Sequence, residues 1–204
     1  MLKITTLNDK KIIIELVEKK EELIYMTNIE REQAINAAYE LYNQTHNVEQ
    51  AKENDLLMTS LDQIVKSLDL HIYDVDMHEV SKLNPDSTLT GSTAGFLQKN
   101  QEGKNAIYVN KNDTLQRKRF TIAHEIGHLM LNHYCDKPIH RDGISSEGTN
   151  TLEIQANAFA AELLMPKELV VYAFDVLGTI AGIAEIFEVS FLAAGNRLKN
   201  LGLI

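Results

Sequence analysis

One five-residue stretch restricts this chain more than any other: His124, Glu125, Ile126, Gly127 and His128 spell HExxH. Residues four apart differ by about 40° around an α-helix, so both imidazoles project from one face and can share a metal ion. Glu125 lies one residue round, offset from the metal yet within reach of a water on it, which is where a general base must sit. Phe120, Ile122 and Ala123 before the motif and Leu129 to Leu131 after it make the helix mostly buried. Histidines and a glutamate inside such a helix are costly without partners, and a metal is a suitable one.

A catalytic zinc takes three protein ligands and keeps one position open. The extended motif that supplies a third histidine six residues on fails here, because Leu131 and Tyr134 stand where glycine and histidine are needed; His133 falls one short. Glu153 is the better candidate, an acidic residue in the apolar, alanine-rich stretch Leu152 to Met165, with Asn157 one turn later as support for a ligand. Ala156 and Ala160 let that helix lie close to the HExxH helix. Glu162 competes, about 180° round from Glu153 on the helical wheel. Tyr134, His133 and His140 are candidate donors to the oxyanion, and the sequence does not choose among them.

Composition narrows the partners. The 204 residues hold 20 Lys and Arg against 29 Asp and Glu, a net charge of -9 that repels a phosphate backbone, so nucleic acid is not the expected partner. The start, MLKITTLNDKK, puts charges where a signal peptide needs an apolar core, and the apolar stretch at Leu177 to Phe187 is broken by Gly178, Gly182 and Glu185. A cytoplasmic chain with no membrane partner is expected. The single cysteine, Cys135, rules out disulfide staples.

The chain divides into three stretches. Residues 1–55 form a charged helical extension facing solvent, although Ala34, Ala37, Ala38 and Leu41 recur at helical spacing. A core over 56–166 opens with a helical stripe, Leu57, Leu61, Ile64, Val65 and Leu68, and a strand at His71 to Asp76. Asn84 to Gly95 is a loop, Ala94 to Gln98 and Asn105 to Asn110 pair as an antiparallel hairpin, and Asp113 caps the HExxH helix. Asp136 to Asn150 is a polar loop, and Arg117 and Arg119 read as helix-surface charges. Residues 167–204 end in two short helices, Ile180 to Phe187 and Phe191 to Asn200, joined like a helix-turn-helix. Its second helix offers only Arg197 and Lys199 as cations and opens with Phe191 and Leu192, which suits a core or a protein interface better than DNA.

RFTIAHEIGHLML at Arg119 to Leu131, followed by EIQANAFAAELLMP at Glu153 to Pro166, resembles the ImmA/IrrE family of zinc-dependent metallopeptidases. The resemblance covers about Leu56 to Ile204. It implies an α+β fold, a mostly helical zincin-like core with a small antiparallel sheet. It also implies one Zn2+ per chain on His124, His128 and Glu153, with Glu125 catalytic. The implied substrate is a helix-turn-helix repressor of the Xre or Cro type, whose loss relieves repression in a mobile-element or stress response. Two other readings accompany it: a metal-stabilised binding module that complexes such a repressor without cutting it, and a toxin paired with a repressor-type antitoxin.

Overall fold

Alternation sets the sheet. The computed structural model describes residues 27–83, 89–133 and 151–204; Tyr134, Cys135, His140 and the expected loop at Asp136 to Asn150 lie outside them, as does part of the loop at Asn84 to Gly95. In β1 (His71–Val75), β2 (Gly95–Lys99) and β3 (Asn105–Asn110) successive side chains point to opposite faces. Ile72, Leu97, Ile107 and Val109 therefore face the main core, while Val75, Phe96 and Tyr108 close a smaller one with Met77 and Leu89. The β2–β3 hairpin is antiparallel as expected, but β1 joins β3 in parallel, giving the order β1-β3-β2. The sheet is thus mixed rather than antiparallel, because the chain crosses over after β1 through α4 (Met77–Leu83) before the hairpin begins.

Two helices carry the chemistry-bearing motifs. α5 (Leu115–Met130) starts one residue later than Asp113 would allow: Thr114 is the cap, its hydroxyl accepting from the Arg117 amide, and Asp113 instead pairs with Arg117 Nε at 2.9 Å. α5 rests on the sheet at Gly95, where a Cβ would fall 2.5 Å from Thr121 Cγ2 and 2.7 Å from the Tyr108 carbonyl oxygen. Only glycine fits there. α6 (Thr151–Leu164) runs along α5, with Ala156 and Ala160 fully buried and Gly127 against the Phe159 ring, so the two backbones come close.

Of the extension expected over 1–55, residues 1–26 lie outside the described ones, and the remainder departs from expectation. A helix over 27–45, α1, and α2 (Val48–Glu53) are not a solvated arm: Ala34, Ala38, Leu41, Tyr42, Val48 and Ala51 belong to the same core as Ile126 and Phe159. A narrow stripe of small and apolar side chains suffices for close packing while the rest of the helix stays charged, and average composition hides such a stripe. α3 (Leu61–Ser67) follows, and α7 (Lys167–Leu177), α8 (Ile180–Ile186) and α9 (Phe191–Asn200) close the molecule.

The last two helices form the expected pair, capped by Thr179 and Ser190. Arg197, one of the two cations of the second helix, is turned inward: it is buried, donates to the Met165 carbonyl at 3.0 Å and pairs with the buried Glu162. Phe191 and Leu192 stay 62% and 69% exposed. Among the described residues no helix is long and apolar enough to cross a membrane.

Candidate metal centre

His124 and His128 lie one turn apart on α5, and the facing first turn of α6 brings Glu153 between them. His124 Nε2 and His128 Nε2 are 3.3 Å apart, and the Glu153 carboxylate oxygens stand 3.4 Å from the first and 3.7 Å from the second. One ligand atom from each residue lies within 4.8 Å of the others. A tetrahedral ion about 2.0–2.1 Å from each ligand requires ligand separations of about 3.3–3.5 Å. The three side chains already stand at nearly those spacings, and two imidazoles with one carboxylate are a donor set that zinc accepts. The residues fit a divalent metal.

Both histidines are buried, at 6% and 4% exposure, as is Glu125 at 5%. Glu125 follows His124 on α5 and is buried with it. Gly127 is the residue that lets α6 approach: a Cβ there would meet the Phe159 side chain at 3.1–3.2 Å.

Other expected site residues fall elsewhere. Glu162 lies toward the opposite end of α6, where one oxygen accepts from the Lys167 amide at 3.0 Å and the other pairs with Arg197, so it is committed to joining α6, α7 and α9. His133 faces the back of His128, their Nδ1 atoms 3.1 Å apart, and its Nε2 is 2.6 Å from Gln155 Oε1. That places it behind a ligand candidate, away from the Nε2 side on which an oxyanion would form. Asn157 is half-buried, and behind His128 the polar contact comes from His133, itself held by Gln155. Gln155 is the residue that sequence reasoning missed; its place in EIQAN, two positions after Glu153, was the available signal.

Arg119 was expected on the surface and is buried instead, donating from Nη2 to the Thr59 carbonyl at 3.0 Å. Burial pulls its guanidinium below the ordinary value, opposed by the charges of Glu188 and Asp62. It holds the segment before α3 against α5. Thr59 in turn donates to the Leu163 carbonyl at 2.8 Å.

A buried cluster of two histidines and a glutamate on paired helices defines a metal-binding protein class. The family is more definite. Residues 83–199 match the peptidase M78 model, the IrrE N-terminal-like domain, over more than half of the chain. The chain belongs to this family, the ImmA/IrrE metallopeptidases. No curated protein matches it.

Proposed function

We propose that this chain is a zinc-dependent endopeptidase, held in the cytoplasm, that cuts a helix-turn-helix repressor of the Xre or Cro type and so relieves repression in a mobile-element or stress response. The observation that carries the peptidase reading is the His124, His128 and Glu153 cluster at near-tetrahedral ligand spacing, with Glu125 beside it on α5. Membership of a metallopeptidase family supports it.

In this reading His124 Nε2, His128 Nε2 and one Glu153 oxygen hold one Zn2+. Zinc supplies Lewis-acid chemistry, polarising a carbonyl and lowering the pKa of water toward about 7. Glu125 takes the proton from the attacking water and passes it to the leaving amine, a general base that becomes a general acid. The net charge of -9 and the inward turn of Arg197 support a protein rather than a nucleic acid as partner. The exposed Phe191 and Leu192 offer apolar contact for such a protein.

Two measurements test this. Elemental analysis of the wild type is expected to give about one zinc per chain, lost or weakened in His124→Ala and Glu153→Ala. Incubation with an Xre-type repressor from a neighbouring gene is expected to yield two fragments with the wild type and intact, bound repressor with Glu125→Gln. Binding without cutting by the wild type would establish the non-catalytic module instead.

A further inference from the structure

We propose that Gln155 and His133 act as positioning residues that fix the tautomer of His128 and aim its Nε2 lone pair at the metal; the inference rests on the metal site proposed above. The backbone builds the contact first. α5 ends with Asn132 in the left-handed region at φ 54, the Asn132 amide donating to the Leu129 carbonyl at 3.2 Å and the His133 amide to the His128 carbonyl at 2.9 Å. This paired closure is a Schellman turn, which sets the residue after the left-handed one against the residue that begins the last turn. Asparagine tolerates that backbone better than other residues with a side chain. In most proteins the contact so formed is apolar; here it joins two imidazoles, and the ring centroids of His128 and His133 stand 5.0 Å apart, edge to face.

Proton accounting then runs in one direction. An amide oxygen only accepts, so with His133 in its neutral form Gln155 Oε1 at 2.6 Å requires its one ring proton to sit on Nε2. His133 Nδ1 is left with its lone pair and accepts from His128 Nδ1–H across 3.1 Å. His128 Nε2 is thereby left unprotonated on the side facing His124 and Glu153, which is the form that binds a metal. Turning the Gln155 amide over would reverse both protons and put a hydrogen where the metal must be. A ligand histidine held by its second nitrogen is a general device of metal sites. Its particular form here, a histidine backed by an amide from the facing helix, also ties α6 to the end of α5.

The test uses the full chain and two readouts. Zinc affinity, measured by competition with a chromophoric chelator, is expected to fall about ten- to a hundredfold in Gln155→Leu, which cannot accept. It is expected to return to the wild-type value or better in Gln155→Glu, which can. In the metal-free protein, long-range 15N spectra of the histidine rings are expected to show His128 protonated at Nδ1 in the wild type and in Gln155→Glu, and as a tautomer mixture in Gln155→Leu. Equal zinc affinity and equal spectra in Gln155→Leu and wild type would overturn the proposal, as would equal loss in both variants, since that would report packing alone. Absence of zinc binding by the wild type itself would instead remove the metal site, and this inference with it.

Discussion

The two ends of α6 each hold a buried or nearly buried carboxylate, one built into an arginine pair and the other into a cluster of imidazoles. Near the C-terminal end, Glu162 pairs with Arg197 from α9, a contact spanning 35 residues of sequence, and accepts from the Lys167 amide. Around it the hydrogen bonds interlock: Arg197 to the Met165 carbonyl, Thr59 to the Leu163 carbonyl, Arg119 to the Thr59 carbonyl. At the N-terminal end, the Glu153 carboxylate stands beside two imidazoles at 3.4 and 3.7 Å. A carboxylate neutralised by a permanent cation belongs to the scaffold. One set beside two imidazoles, with all three groups at ligand spacing, is suited to a metal cation that arrives from outside.

The sharpest way to separate the two ends is to remove one acid-base group from each and read different quantities. Glu125→Gln, at the site end, is expected to lower the rate of peptide cleavage by about 10²–10⁴-fold while zinc content and melting temperature stay at wild-type values. A variant that kept its activity would sink Glu125 as the proton carrier. At the scaffold end, Arg197→Ala leaves Glu162 buried without its cation, and a loss of about 3–5 kcal/mol in urea-unfolding free energy is expected. Arg197→Met combined with Glu162→Leu should recover most of that loss, because an apolar pair of similar volume removes the unpaired charge. If Arg197→Ala were as stable as the wild type, the ends would not differ as described.

Gly127 tests the contact that joins the two helices at the site. The alanine Cβ would press on the Phe159 ring at 3.1–3.2 Å, and Phe159 is fully buried, so the ring has little room to yield. A cost of about 1–3 kcal/mol is expected in Gly127→Ala. Zinc affinity should fall with it, because the same separation of α5 from α6 moves Glu153 off the histidines; an alanine variant with unchanged affinity would show that α6 reaches the cluster by another constraint.

The site end was far more legible in the sequence than the scaffold end. HExxH and the acid in an alanine-rich helix are local patterns, and helical geometry alone predicts which side chains share a face. The pairing of Glu162 with Arg197 depends on how α9 returns to α6, which no local period encodes. Arg119 was misjudged for the same reason: an arginine near a helix start reads as surface until the segment carrying Thr59 is seen packed over it. The stripe of Ala34, Ala38 and Leu41 was visible but outweighed by the charged residues around it, and only packing against the core shows that the stripe decides. His133 reads from the sequence as a candidate oxyanion donor, yet a turn at Asn132 places it behind His128 rather than in front.

The smallest effect expected is on pH, and it also falls at the scaffold end. His46, at the C-terminal side of α1, accepts the Ser60 amide on Nε2 at 3.0 Å, while its Nδ1 stands 2.8 Å from the Thr45 hydroxyl, which donates in turn to the Leu41 carbonyl. Nε2 must stay unprotonated to accept, and burial lowers the pKa of the ring below its ordinary value. The unfolded chain, with a histidine pKa of about 6.5, therefore takes up the proton before the folded one does. The stability that His46 contributes is present above that pH and is lost as pH falls through it, since the unfolded state then binds more protons. Melting temperatures of the metal-free wild type and of His46→Gln, compared between pH 8 and pH 5, isolate this contribution, because the titration of His124, His128 and His133 is common to both. Glutamine can accept the Ser60 amide without titrating, so the wild type should lose more stability on acidification than the variant. Parallel curves would mean that Ser60 does not depend on the neutral ring, and that the junction between α1 and α3 is held by its apolar contacts alone.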